Sequence, residues 1–190
     1  MKLIILIVSV FLTVFLSPAL AQQDEVPKNI AGSVGNTLQW TEDQFYSTAQ
    51  AMPDGKYDYI PTAGNFKDVR SFAEQVKHVA CANFAFFNEI EKKTPPDHCE
   101  KGGPAPARTK AELLKYLKDS FDYGNKVLQT INATNALDRV EGPYAGPNTK
   151  LGMAVAAVWH IADHYGQIVE YLRMSGIVPP PTQQYGLKVR

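Results

Sequence analysis

Proline and glycine divide this chain into four stretches, and each stretch carries apolar residues three and four apart. Proline cannot continue a helix and restricts the residue before it. Pro53-Asp54-Gly55, Thr94-Pro95-Pro96 and Pro179-Pro180-Pro181 therefore act as stops. Between the stops, the spacing predicts helices over about Thr37 to Met52, Lys67 to Lys93, Thr109 to Ile131 and Thr149 to Ser175. An extended stretch, Tyr57-Asp58-Tyr59-Ile60-Pro61, links the first two. Thr109 with Glu112 three residues on has the pattern of a capping box, and Gly176 suits the left-handed residue that ends a helix. No alternating apolar run competes for a sheet, and no internal repeat is present. Four amphipathic helices hide their apolar faces most economically against one another. The expected fold class is all-α, a four-helix bundle.

The first residues read as a separate segment. Lys2 supplies a basic start, Leu3 to Leu16 form an apolar run, and Ala19-Leu20-Ala21 places small residues at −3 and −1. That is the layout of a cleavable secretory signal. The run is shorter than the roughly 20 residues a spanning helix needs, and no cysteine follows the cleavage point to carry a lipid. The expected organisation is a signal peptide over 1–21, a flexible lead over 22–36, the bundle domain over 37–181 and a tail over 182–190. The signal is similar to those of bacterial exported proteins, so the expected location is periplasmic or secreted, with no membrane attachment after cleavage.

Charge excludes one class of partner. Lys plus Arg equals Asp plus Glu at 19 each, so no basic excess points to nucleic acid. The 2 cysteines, Cys81 and Cys99, fall in the second helix and the loop after it. An oxidising compartment permits them to pair; two unrelated thiols, with Cys81 buried, are the other reading.

His160 and His164 stand four residues apart in the last helix. At about 100° per residue, such a pair lies on one face, one turn apart and within reach of a single ion. Neutral imidazole is the commonest metal ligand. Leu151, Val155, Val158, Ala162, Tyr165, Val169 and Leu172 form the expected core stripe of this helix. The histidines fall at about 200–240° from Val158, bordering the core with Gln167 and Tyr171 on the same arc. In the second helix, His78 lies opposite the stripe of Val69, Phe72, Val76, Ala80, Phe87 and Ile90, beside Cys81, Ala82 and Ala85. Small residues there, and Ala156 and Ala157 behind His160, leave room for an ion, water or ligand. On spacing alone, two ordinary helical histidines remain the simpler account of the pair. Ile161 follows His160, so the glutamate of the HExxH zinc-protease base is missing.

Longer stretches carry a family resemblance. Met52-Pro-Asp-Gly-Lys-Tyr-Asp-Tyr59-Ile-Pro61-Thr with Arg70-Ser-Phe-Ala-Glu-Gln-Val-Lys-His78-Val-Ala-Cys-Ala-Asn-Phe resembles the first loop and second helix of the DinB-like (damage-inducible, YfiT-like) superfamily of bacterial four-helix proteins. Trp159-His160-Ile-Ala-Asp-His164-Tyr-Gly166-Gln167-Ile-Val-Glu-Tyr171-Leu-Arg173-Met-Ser-Gly176 resembles its closing helix, and the third helix from Thr109 fits as well. The likeness spans about Thr37 to Pro181. It implies a DinB/YfiT-like bundle whose three histidines, here His78, His160 and His164, bind a divalent metal. Zinc and nickel both suit an imidazole set. Three neutral ligands without a carboxylate leave coordination positions for water or substrate, as in catalytic rather than structural zinc sites. His98, beside Cys99, has no counterpart in the triad and reads as a surface residue.

Two functions follow from the resemblance. One is a metal-dependent hydrolase or transferase, including transfer of a low-molecular-weight thiol, acting on an unknown small-molecule substrate. Gln167 and Tyr171 are its candidate assisting groups, Asp163 a weaker one that points away, and no residue commits itself as general base. The other is a non-catalytic metal-binding or stress-associated module. A homodimer is compatible with either.

Overall fold

A computed structural model describes residues 26–62, 69–144 and 146–180. The expected signal peptide and the C-terminal tail lie outside the described residues. Within them the chain forms α1 (Ile30–Ala51), α2 (Phe72–Ile90), α3 (Lys110–Leu128) and α4 (Lys150–Met174). These are the four expected helices, packed as a bundle. Short 3₁₀ turns at Asp54–Lys56 and Cys99–Lys101 interrupt the connections after α1 and α2. No helix among the described residues is long and apolar enough to cross a membrane.

Helix ends follow capping chemistry more closely than apolar spacing. The first four N–H groups of a helix have no partner within it. Asn29 Oδ1 accepts from Gly32 N at 2.7 Å, so α1 starts at Ile30 rather than Thr37. Part of the expected lead, residues 30–36, is therefore helical. Helix α2 starts later than expected, at Phe72. Ser71 and Glu74 form a capping box there, while Phe72 N and Ala73 N donate to the carbonyls of Tyr59 and Tyr57. The extended stretch thus terminates α2 as well as leading to it. Thr109 and Glu112 form the expected box at α3. At the far end of α4, Gly176 takes φ +77 and Ile177 N donates to Leu172 O at 2.9 Å.

The connection from α3 to α4 holds a structure too short to read as alternation. β1 (Arg139–Val140) pairs antiparallel with β2 (Asn148–Thr149), in the register Arg139 to Thr149 and Val140 to Asn148.

Helix α2 is the centre of the molecule. It packs against both α3 and α4, and 14 of its 19 residues are buried. Phe72, Phe87, Phe45 and Phe121 fill the core with Leu38, Leu117, Met153 and Ile161. Gly124 on α3 lets the Phe87 ring lie directly on its backbone, and a Cβ there would overlap that ring.

One expectation about α4 is corrected. Val155 is 53% exposed and Ala162 is also exposed, so the stripe built on them is not the core face. The buried line runs Ala154, Ala157, Ile161, His164, Ile168, Tyr171. Helix α4 wedges against both α1 and α2. Ala154 and Ala157 are fully buried on this helix. The larger Val155 and Trp159 are left facing solvent, Trp159 at 68%.

Candidate metal centre

That change of phase carries the histidines inward. His164 belongs to the buried line, His160 is partly buried one turn before it, and His78 on α2 is buried opposite. One ring nitrogen from each histidine lies within 4.8 Å of the other two, a group that could hold a metal ion. The ring centroids are 4.5 Å apart for His160 and His164, 4.7 Å for His78 and His164, and 5.1 Å for His78 and His160. The edge of the Phe86 ring closes the apolar side of His160.

Burial keeps these rings neutral. Loss of hydration pushes the His160 imidazole down to about 3, helped by its two neighbours, and His164 down to about 4. His78 is lowered for the same reason, partly offset by its bond to Cys99. Neutral imidazole is the form that binds a metal.

Hydrogen bonds also fix the tautomers. His78 Nδ1 lies 2.7 Å from the Cys99 carbonyl, which can only accept, so the proton sits on Nδ1. His164 Nδ1 donates to Gln75 Oε1 at 2.9 Å. Both rings therefore present an Nε2 lone pair. His78 Nε2 and His160 Nε2 are 3.1 Å apart. Ligands of a tetrahedral zinc, each at about 2.0–2.1 Å, would be about 3.3 Å from one another. The donor set fits such an ion. His160 Nδ1 is buried without a partner among the described residues.

A polar relay extends from the triad. Gln75 Nε2 donates to Gln167 Oε1 and Gln167 Nε2 donates to Asp163 Oδ2, each at 2.9 Å. Gln75 and Gln167 also line a hollow of about 600 Å³ with Val69, Arg70, Glu74, Glu100 and Lys101. None of the three histidines lines this hollow; it meets the triad through Gln75, the partner of His164. Its Arg70 guanidinium is held by the Glu100 carbonyl (2.9–3.0 Å) and carboxylate (2.7 Å).

The other expected groups are placed less favourably. The Tyr171 hydroxyl donates to the Arg70 carbonyl at 2.9 Å and is committed there. Asp163 is exposed and reaches the triad only through the two glutamines. His98 is exposed, as expected of a surface residue. Gln75 and the Cys99 carbonyl were missed. Gln75 had a visible signal, an amide three residues before His78 on a largely apolar helix; a backbone carbonyl has none.

The family model of the DinB superfamily matches residues 37–168. The chain belongs to the DinB superfamily. Solved structures agree on the fold. A DinB-like protein from Bacillus cereus is 13% identical with a TM-score of 0.65, covering 82% of this chain and 98% of that one. A conserved protein from Enterococcus faecalis is 18% identical at TM-score 0.61, covering 77% and 97%. A candidate member of the DinB family from Exiguobacterium sibiricum is 18% identical at TM-score 0.59, covering 77% and 92%. None of the curated proteins matches the chain. At these identities the likeness to other DinB structures concerns the fold, so the reading of the histidines rests on their own geometry.

Proposed function

We propose that this DinB protein binds a divalent metal, zinc or nickel, through His78, His160 and His164, and uses the remaining coordination positions on a small-molecule substrate as a hydrolase or transferase. The observation that carries this reading is the convergence of three neutral imidazoles, two with their Nε2 lone pairs set by hydrogen bonds. A bound metal would supply Lewis acidity, polarising a carbonyl or lowering the pKa of water or a thiol. Gln75 holds the His164 ring, and Gln167 holds Gln75. The hollow beside them admits a ligand, and its Arg70, Lys101, Glu74 and Glu100 offer both signs of charge at the mouth.

Export to an oxidising compartment belongs to the same reading. Cys81 and Cys99 form a disulfide, and such bonds persist in secreted and periplasmic proteins.

A non-catalytic metal-binding module is the second reading, and one observation favours it. The polar groups nearest the triad are amides, which neither give nor take protons, and Asp163 is engaged by Gln167. The test is elemental analysis of protein purified without a histidine tag, followed by turnover assays on ester and thiol panels. Stoichiometric metal with turnover abolished in His160→Ala supports the enzyme. Stoichiometric metal in a protein inert across both panels supports the module, and wild-type protein free of zinc and nickel after metal-replete growth overturns both.

A further inference from the structure

The disulfide and the metal candidate meet at a single residue. Cys99 accepts a hydrogen bond at its carbonyl from His78 Nδ1, while its sulfur is bonded to Cys81, three residues after His78 on the same helix. The Cα atoms of the two cysteines are 5.2 Å apart, within the usual range for a disulfide. The bridge is fully buried, packed by Ala85 with Tyr116 and Tyr144 at its edge. Gly103, at φ +73, covers Cys81 so closely that a Cβ would overlap the sulfur. The carbonyl is aimed by the turn itself, since Gly102 N also donates to it at 2.8 Å. Both of its lone pairs are therefore committed. The remaining anchors of this loop are non-covalent: the half-buried Tyr144 hydroxyl donates to Pro96 O at 3.1 Å, and on the solvent side Arg70 holds Glu100. Exposed pairs of that kind hold weakly.

We propose that closing the Cys81–Cys99 disulfide completes the metal centre, so that metal loading is coupled to thiol oxidation. The inference rests on the metal reading above. Cys99 is a positioning residue: its carbonyl fixes the His78 tautomer and ring angle, and the bridge fixes the carbonyl. In the reduced chain the loop is released from α2, His78 loses its acceptor, and its two tautomers become comparable. Oxidation removes two protons and two electrons from the thiols of Cys81 and Cys99. A low-molecular-weight disulfide such as oxidised glutathione accepts them and is cleaved to two thiols. The metal is retained only after this step, which ties occupancy to an oxidising compartment.

The experiment compares zinc affinity of the full chain in three forms. These are the oxidised protein, the protein reduced with a non-coordinating phosphine and reoxidised with oxidised glutathione, and the Cys81→Ser, Cys99→Ser double variant. Partners that orient a ligating histidine are worth about 10–100-fold in metal affinity. We expect a weakening of that order in the reduced and double-variant proteins and recovery on reoxidation. Far-UV circular dichroism identifies a variant that has unfolded, in which case the reversible reduction alone decides. Affinity that is unchanged, or tighter because a thiolate joins the metal, overturns the proposal. Histidine ¹⁵N spectra of metal-free protein provide an independent arm. His78 is expected as the Nδ1–H tautomer when oxidised and as a mixture when reduced. A wild type that takes no zinc would sink the metal reading, while an unmoved His78 tautomer would sink the clamp.

Discussion

At the scale of single residues, the triad is supported by side chains that never reach an ion. Gln75 accepts from His164 Nδ1 and donates to Gln167, so it fixes both a tautomer and a neighbour. Gln75→Leu keeps the volume and removes both bonds. We expect zinc affinity to fall by about 10–100-fold, measured by competition with a chromophoric chelator, with the helical content unchanged. The depressed histidines also set a pH dependence for the metal-free protein. His160 and His164 sit at about 3 and about 4 when folded, against an ordinary value of 6.5. Above that value both states are neutral and the groups contribute nothing. As pH falls, the unfolded chain takes protons that the folded one refuses, so stability declines from about pH 6.5 down through 4 and toward 3. Urea midpoints in the presence of a chelator should fall across this window. His160→Gln with His164→Gln should flatten the slope; an equal slope in that variant rules out these rings as its source.

At the scale of elements, the caps determine where helices begin. Asn29→Ala should cost about 1 kcal/mol, read from urea unfolding, because Asn29 holds the first turn of α1. Gly124→Ala tests the contact of α3 with α2. A methyl forced against the Phe87 ring should cost about 1–3 kcal/mol, with Gly35→Ala, where a Cβ meets nothing, as the control. These elements also show how far the sequence could be read. Proline stops and the Thr109 box are local, and the helix ends they set lie within three residues of where spacing put them, whereas the starts of α1 and α2 lie seven and five residues away. The phase of α4 is not local. The buried line includes Ala154 and Ala157, and alanine counts for little when stripes are read by size. The spacing of His160 and His164 drew attention to a pair, and only the family resemblance around His78 made it a triad; the Cys99 carbonyl was not legible, because any residue has one.

At the scale of the molecule, α2 and α4 are packed directly, and the three histidines stand on both sides of that contact. Their separation along the chain is large, 82 residues between His78 and His160. An ion shared by them binds the folded state alone, so zinc at about 100 times its dissociation constant should add about 2.7 kcal/mol. Differential scanning calorimetry should show a melting temperature that climbs with zinc, and no climb in His78→Ala with His164→Ala. The bundle also carries its own reporter. Trp159 precedes His160 in the chain yet faces solvent, so its indole emits beside the triad without donating to it. Zinc is a closed-shell ion with no unpaired electrons or low-lying transitions. Nickel, with an open shell, opens a path for the excited indole to decay. With Trp40, the other exposed indole, replaced by Phe, Trp159 turns the protein into an optical discriminator: nickel should dim its emission and zinc should leave it bright.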